Sequence, residues 1–133
     1  METIERANLA AALRGKYNCA QAVLLSYKDI LNLNEETMVQ IASGFAVGMG
    51  NMKNQCGAVS AAIIVAGIIS SGNRTPILAK QIQEEFYKLS GANICEDLKG
   101  VKTGIVICSC PDCCKNAVIA LDKVLENNNL KNY

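Results

Sequence analysis

The side chains of this sequence best suited to chemistry are its cysteines, seven in 133 residues. Four fall in one short run, Cys108-Ser-Cys110-Pro-Asp-Cys113-Cys114. Thiols at this density chelate a soft metal or exchange disulfides, because the thiolate is both the ligand and the nucleophile. Within the run, Cys110-Pro-Asp-Cys113 is a C-x-x-C motif at the start of an expected helix, a setting that lowers the first thiol's pKa in oxidoreductases. A thioredoxin-type reading also needs a strand–helix–strand context, which this sequence lacks. A zinc ribbon needs a second paired knuckle, and only one is present. There is no histidine. That absence removes Cys/His and Ser/His triads, histidine-ligated zinc and haem attachment through C-x-x-C-H.

Apolar spacing is helical along nearly the whole chain, so the cysteines must be positioned by helices. A first helix opens at Glu2 or Thr3 and ends before Gly15. Asn18 caps a second, from Cys19 to Leu31, and Asn34 caps a third carrying Met38, Ile41, Ala42 and Phe45. The glycine-rich stretch from Gly44 to Gln55 breaks the period and predicts a loop. A buried, small-residue-rich helix follows from Cys56 to Ile69, and Thr75-Pro76 opens another that runs to Leu89. One turn over 95–98, extended coil over 104–108 and a last helix from Pro111 complete a compact all-α bundle of five to six helices. A single domain spans 1–133, with residues 126–133 expected to fray.

On this reading the cysteines gather at helix starts. Cys19 lies in the first turn of the second helix, Cys56 in that of the central one, and Cys113 and Cys114 in that of the last; Cys95 begins its own turn. Helix N-termini favour thiolate, and Lys16, Lys53 and Lys115 add positive charge nearby. A lone cysteine is ordinarily a small buried hydrophobe, and for Cys19 by itself that reading is as good. Packing alone gives no reason to place four of them at helix starts. Gly50 and Gly57, with Ala58, suit a backbone that approaches a sulfur or a bound group closely. Glu84-Glu85 and Glu96-Asp97 read as solvated helix faces.

Composition narrows the partners. The net charge is +1 with no basic segment, which argues against nucleic acid or an anionic membrane surface. The uncharged stretch between Lys53 and Arg74 is rich in Ala, Gly and Ser, and its apolar part falls short of the ~20 residues a membrane span needs. The polar N-terminus does not read as a signal peptide, so a cytoplasmic protein with reduced thiols is expected.

The order of these residues resembles the C-GCAxxG-C-C family, described as redox-active. The likeness rests on Asn18-Cys19-Ala-Gln-Ala-Val23, the glycine-rich approach to Cys56-Gly57-Ala58, then Cys95 and a cysteine opening the last helix. It runs from about Gly15 to Leu125, with Ala61 where the family has a glycine. The resemblance implies a site on Cys19, Cys56, Cys95 and a fourth cysteine that falls most naturally on Cys114, with Cys113 or Cys110 as alternatives; on the Cys114 assignment, Cys108, Cys110 and Cys113 are additions. Part of the pattern is also similar to the split-Soret cytochromes c, in which an iron–sulfur centre accompanies haem.

Three functions follow. The first is thiol–disulfide exchange on Cys19, Cys56, Cys95 and Cys114, with Cys110 and Cys113 as resolving or relay thiols and an unidentified redox partner. The second is an iron–sulfur electron-transfer or sensor domain that uses the same four cysteines as ligands. The third is a helical scaffold holding structural zinc. The sequence is compatible with a monomer or a homodimer.

Overall fold

Helix boundaries follow from the side chains that satisfy unpaired backbone amides. In the computed structural model, which describes residues 1–133, Glu2 and Glu5 form a reciprocal cap on α1 (Thr3–Leu13). Asn18 accepts from the Gln21 amide at 2.9 Å, and the Gln21 side chain accepts from the Asn18 amide, opening α2 (Cys19–Leu25). Asn34 caps α3 (Glu35–Ala42) through the Thr37 amide at 2.7 Å. There follow a single turn, α4 (Ala46–Met49), then α5 (Gly57–Ile69), α6 (Thr75–Ser90), the single turn α7 (Cys95–Leu98) and α8 (Cys110–Asn127). Ser109 caps α8 by accepting from the Asp112 amide. The fold is all-α: six helices of seven residues or more, with one isolated antiparallel bridge between Gln55 and Ile94.

Three boundaries differ from the sequence expectation. The second helix stops at Leu25 rather than Leu31, because the buried Arg6 guanidinium takes the Ser26 carbonyl and the Ser26 hydroxyl donates to Val23 O at 2.6 Å. The expected loop after Gly44 contains a 3₁₀ turn, Ser43–Phe45, followed by α4, whose Val47, Gly48 and Met49 have left-handed φ values of 56°, 53° and 60°. Thr75 does not cap its helix. Arg74 occupies the N-cap position with a φ of 59° and makes no side-chain capping bond, while the Thr75 hydroxyl faces Ser70 Oγ at 3.3 Å.

Burial explains the layout. Helix α5 is the central element: Ala58, Ala61, Ala62 and Ala66 are fully buried, and α2, α6 and α8 pack around it. Such short side chains let helix axes approach near the lower end of the usual range, about 8 Å. At the far end of the bundle Asp122, buried on α8, accepts from Tyr27 Oη at 2.6 Å and Thr3 Oγ1 at 2.7 Å. Arg6 pairs there with Asp29, and its guanidinium lies 4.5 Å from the Tyr27 ring centre. The last residues have no regular structure, yet Tyr133 donates to Asp122 Oδ1 at 3.2 Å and Lys131 to Thr3 Oγ1 at 2.9 Å. No helix is long and apolar enough to cross a membrane.

A β-branched residue in the left-handed region is strained, and Val47 is half-exposed at 49%, so little packing depends on it. Replacing it with asparagine, which tolerates that conformation, should stabilise the fold by about 1 kcal/mol. Thermal denaturation of Val47→Asn measures this as a raised Tm; an unchanged or lowered Tm would show that the turn holds no such strain.

Candidate functional site

The cysteines occupy the starts of four helical elements that meet at one end of the bundle. Cys19 is the first residue of α2, Cys95 the first of α7 and Cys110 the first of α8, while Cys56 is the N-cap of α5. Cys113 and Cys114 lie one turn into α8 and are fully buried. All seven thiols are free, and Cys110 alone is not buried.

Two thiol pairs stand out. Cys110 on α8 and Cys19 on α2 shift one another's titration, as do Cys113 on α8 and Cys56 at the start of α5. Each pair shares a proton unequally. The Cys19 thiol donates to the Cys110 sulfur, and with Lys99 and a hydrogen bond from Arg14 this holds the Cys110 pKa down at about 5. The corresponding cost falls on Cys19, whose pKa is raised by that same bond and by burial. In the second pair the Cys113 thiol donates to the Cys108 carbonyl at 3.7 Å, and its nearness favours the Cys56 thiolate. The backbone amides of Ala58 and Val59 and the charge of Lys99 assist, bringing Cys56 down to about 7. Cys113 moves up, through its bond to Cys56 and through burial. In each pair one thiol is shifted toward thiolate and its neighbour away from it, the asymmetry on which disulfide exchange draws.

The cations that face the sulfurs differ from those closest in sequence. Lys99, at the C-cap of α7, donates from Nζ to Cys113 Sγ at 3.4 Å and to Cys108 O at 2.8 Å. Arg14, at the C-cap of α1, is anchored by Nη1 on Tyr17 O at 3.3 Å and lies near enough to Cys19 and Cys110 for their charges to act on one another. Sequence reasoning passed over both and named Lys16, Lys53 and Lys115 instead. Arg14 lies five positions before Cys19 and Lys99 four after Cys95, each at the C-terminal end of its element, where proximity to another helix's start is a tertiary fact.

The remaining candidates take different roles. Burial pushes Cys114 up to about 12, and its thiol donates to the Cys19 carbonyl at 3.7 Å rather than to a sulfur. Burial and the charge of Cys56 raise Cys95. Cys108 accepts from Asn116 Nδ2 at 3.7 Å. Ala58 is fully buried in the first turn of α5. A Cβ on Gly57 would lie 2.7 Å from Phe45 O, so its missing side chain makes room for protein backbone rather than for a bound group. Gly50 meets nothing within 4 Å and serves the turn through its φ of 88°.

An iron–sulfur cluster or zinc on Cys19, Cys56, Cys95 and Cys114 would need those sulfurs to converge as one ligand set. They do not: no three cysteine, aspartate or glutamate side chains form a group that could hold a metal ion.

A thiolate with a pKa near 5 is fully ionised across the neutral range, whereas an ordinary thiol gains about tenfold in thiolate per pH unit there. Alkylation of Cys110 by iodoacetamide, followed by peptide mass spectrometry, should therefore change little between about pH 6 and pH 8. A rate that climbs with pH throughout would mean that Cys110 is an ordinary thiol. Arg14→Gln should shift the onset of its reactivity to higher pH.

No curated protein and no solved structure matches the chain. One family model does, over residues 17–124, which include both members of each thiol pair; its description reads "Putative redox-active protein (C_GCAxxG_C_C)". With that match covering most of its length, the chain belongs to the C_GCAxxG_C_C family.

Proposed function

We propose that this protein is a thiol–disulfide redox protein whose exchanging dithiol is Cys110 and Cys19, backed by a second, buried dithiol of Cys56 and Cys113. The observation that carries this reading is the placement of a partly exposed Cys110 at the start of α8 and a buried Cys19 at the start of α2, whose thiols shift one another in opposite directions, Cys110 down and Cys19 up. The Cys110 thiolate attacks one sulfur of a partner disulfide, the partner's S–S bond breaks, and a mixed disulfide forms. Cys19 then attacks the Cys110 sulfur. Its proton passes to the departing partner thiolate, leaving a Cys19–Cys110 disulfide and a reduced partner dithiol. Two electrons move to the partner, and the reverse sequence restores the dithiol.

Lys99 stands between the two pairs, against Cys113 and within electrostatic reach of both Cys56 and Cys110. Oxidation at either pair removes a thiolate that faces this cation. A reducing compartment such as the cytoplasm would return the dithiol to its working state.

Equilibration in glutathione buffers of graded potential tests the proposal by thiol counting and peptide mapping. The free-thiol count should fall from seven by one pair or by both, reversibly, and the first cross-linked peptide should join Cys19 to Cys110. Seven free thiols at every potential would overturn it. Cys110→Ser should abolish the Cys19 cross-link while leaving helicity intact, since this side chain is only partly buried.

A further inference from the structure

The most exposed large apolar side chain of the molecule is Ile105, at 67%, and its chain neighbours Val101, Val106 and Ile107 are each more than half exposed. The segment is held in this form rather than left loose. The Ile107 amide bonds Leu98 O at 3.0 Å, the Gly104 amide bonds Gly100 O at 2.8 Å, and Lys99 Nζ donates to Cys108 O at 2.8 Å. A side chain on Gly100 would strike the Ile105 carbonyl, so its absence lets the loop close. A Cβ on Gly91 would lie 3.5 Å from Ile107 Cδ1, which seats this end of the patch against the C-cap of α6. Val106 uses neither its amide nor its carbonyl in a backbone hydrogen bond.

Chain length alone ties the patch to the reactive end. Ile107 and Cys110 are three residues apart, so their Cα atoms lie within about 11 Å of each other. Cys110 is also the one thiol that is not buried. Four such side chains offer roughly 400 Å² of apolar surface, a patch size that is often functional. Two copies face to face would bury only about 800 Å², short of the ~1,200 Å² of a stable interface and within the range of transient redox encounters. The free amide and carbonyl of Val106 suit another polypeptide backbone, which a lipid surface does not provide. We propose that the loop 101–107 docks a protein redox partner whose disulfide is set among apolar residues, and so delivers that disulfide to Cys110. This inference rests on the exchange reading above and adds the chemistry of the partner; the bonds that break and form are those already described.

Two symmetric peptide disulfides test it, one of Lys-Val-Ile-Cys-Val-Ile-Lys and one of Lys-Gly-Ser-Cys-Ser-Gly-Lys, with oxidised glutathione as a third oxidant. Mass spectrometry follows the rate at which the reduced protein is oxidised at Cys110. Each peptide's rate is divided by that of the same peptide disulfide with free glutathione thiol, which removes intrinsic differences between the two. The ratio for the apolar peptide should exceed that for the polar one by about tenfold or more, the scale of burying one or two apolar side chains. Ile105→Ser combined with Val106→Ser, both in exposed coil, should remove most of that preference and leave the oxidised-glutathione rate unchanged. Equal ratios in the unsubstituted protein, or a preference that survives the double substitution, overturn the inference. So does a stable dimer in sedimentation that the double substitution dissolves, because the patch then belongs to a second copy. Where Cys110 exchanges with oxidised glutathione but shows no preference between the peptides, the exchange reading stands alone. Where none of the three disulfides oxidises Cys110, both fall.

Discussion

The arrangement depends on how closely backbones can approach at the start of α5. A Cβ at Gly57 would sit 2.7 Å from the Phe45 carbonyl oxygen, and one at Gly48 would sit 2.7 Å from Cys95 Cβ and 2.8 Å from Asn54 O. With no side chain at either place, the segment between α3 and α5 folds onto the cysteine end of the bundle. The Cys56 amide then bonds Asn93 O at 2.8 Å, and the Cys95 amide bonds Asn54 O at 3.0 Å. The alanines along α5 extend the same condition inward, letting α2 and α8 pack closely against it and bringing their N-terminal cysteines to one end of the bundle. Larger side chains here would separate the helices, and the thiols with them.

Polar chemistry is divided between the two ends of the bundle. The sulfurs are at one end, and the other is fastened by Arg6, Asp29, Tyr27, Asp122 and Tyr133, which join α1, the turn after α2, α8 and the C-terminal residues. Asp122 accepts from three hydroxyls, so its buried carboxylate is compensated, and Arg6 spends its donors on Asp29 and the Ser26 carbonyl. Breaking such a buried network leaves a charge without a partner, which costs far more than the network adds in net stability. Its value here is registration. By fixing α8 against α1 and α2 at one end, it sets where Cys110 and Cys113 fall at the other.

Much of this was legible in the sequence because the signals were local. Asn18 and Asn34 announce helix starts, Pro111 falls in the first turn of the last helix, and the alanine-rich run identifies the buried centre. The pairing of the sulfurs was not legible. Cys110 and Cys113 read most simply as each other's partners in a C-x-x-C motif, yet on α8 each faces a sulfur from another helix, because α2 and α5 flank that first turn. The left-handed turn at Val47 was hidden for a similar reason. Valine gives no local hint of such a conformation, which is imposed by the packing of α4 against α5 and α7.

The two pairs differ in access, and access orders the chemistry. Cys56 and Cys113 are almost wholly buried, so no macromolecular disulfide can reach them without local opening, whereas Cys110 can be attacked from solvent. In the exchange proposed above, electrons passing between a partner and the inner pair would travel by way of α8's first turn, where Cys110 and Cys113 are three residues apart on one helix. Lys99 lies against the inner pair and its charge reaches the outer one, so loss of a thiolate at either pair changes the electrostatic setting of the other. Coupling of that kind needs no large motion. It needs one cation shared by two sulfurs of opposite burial, and the C-cap of α7 places Lys99 where it can serve both.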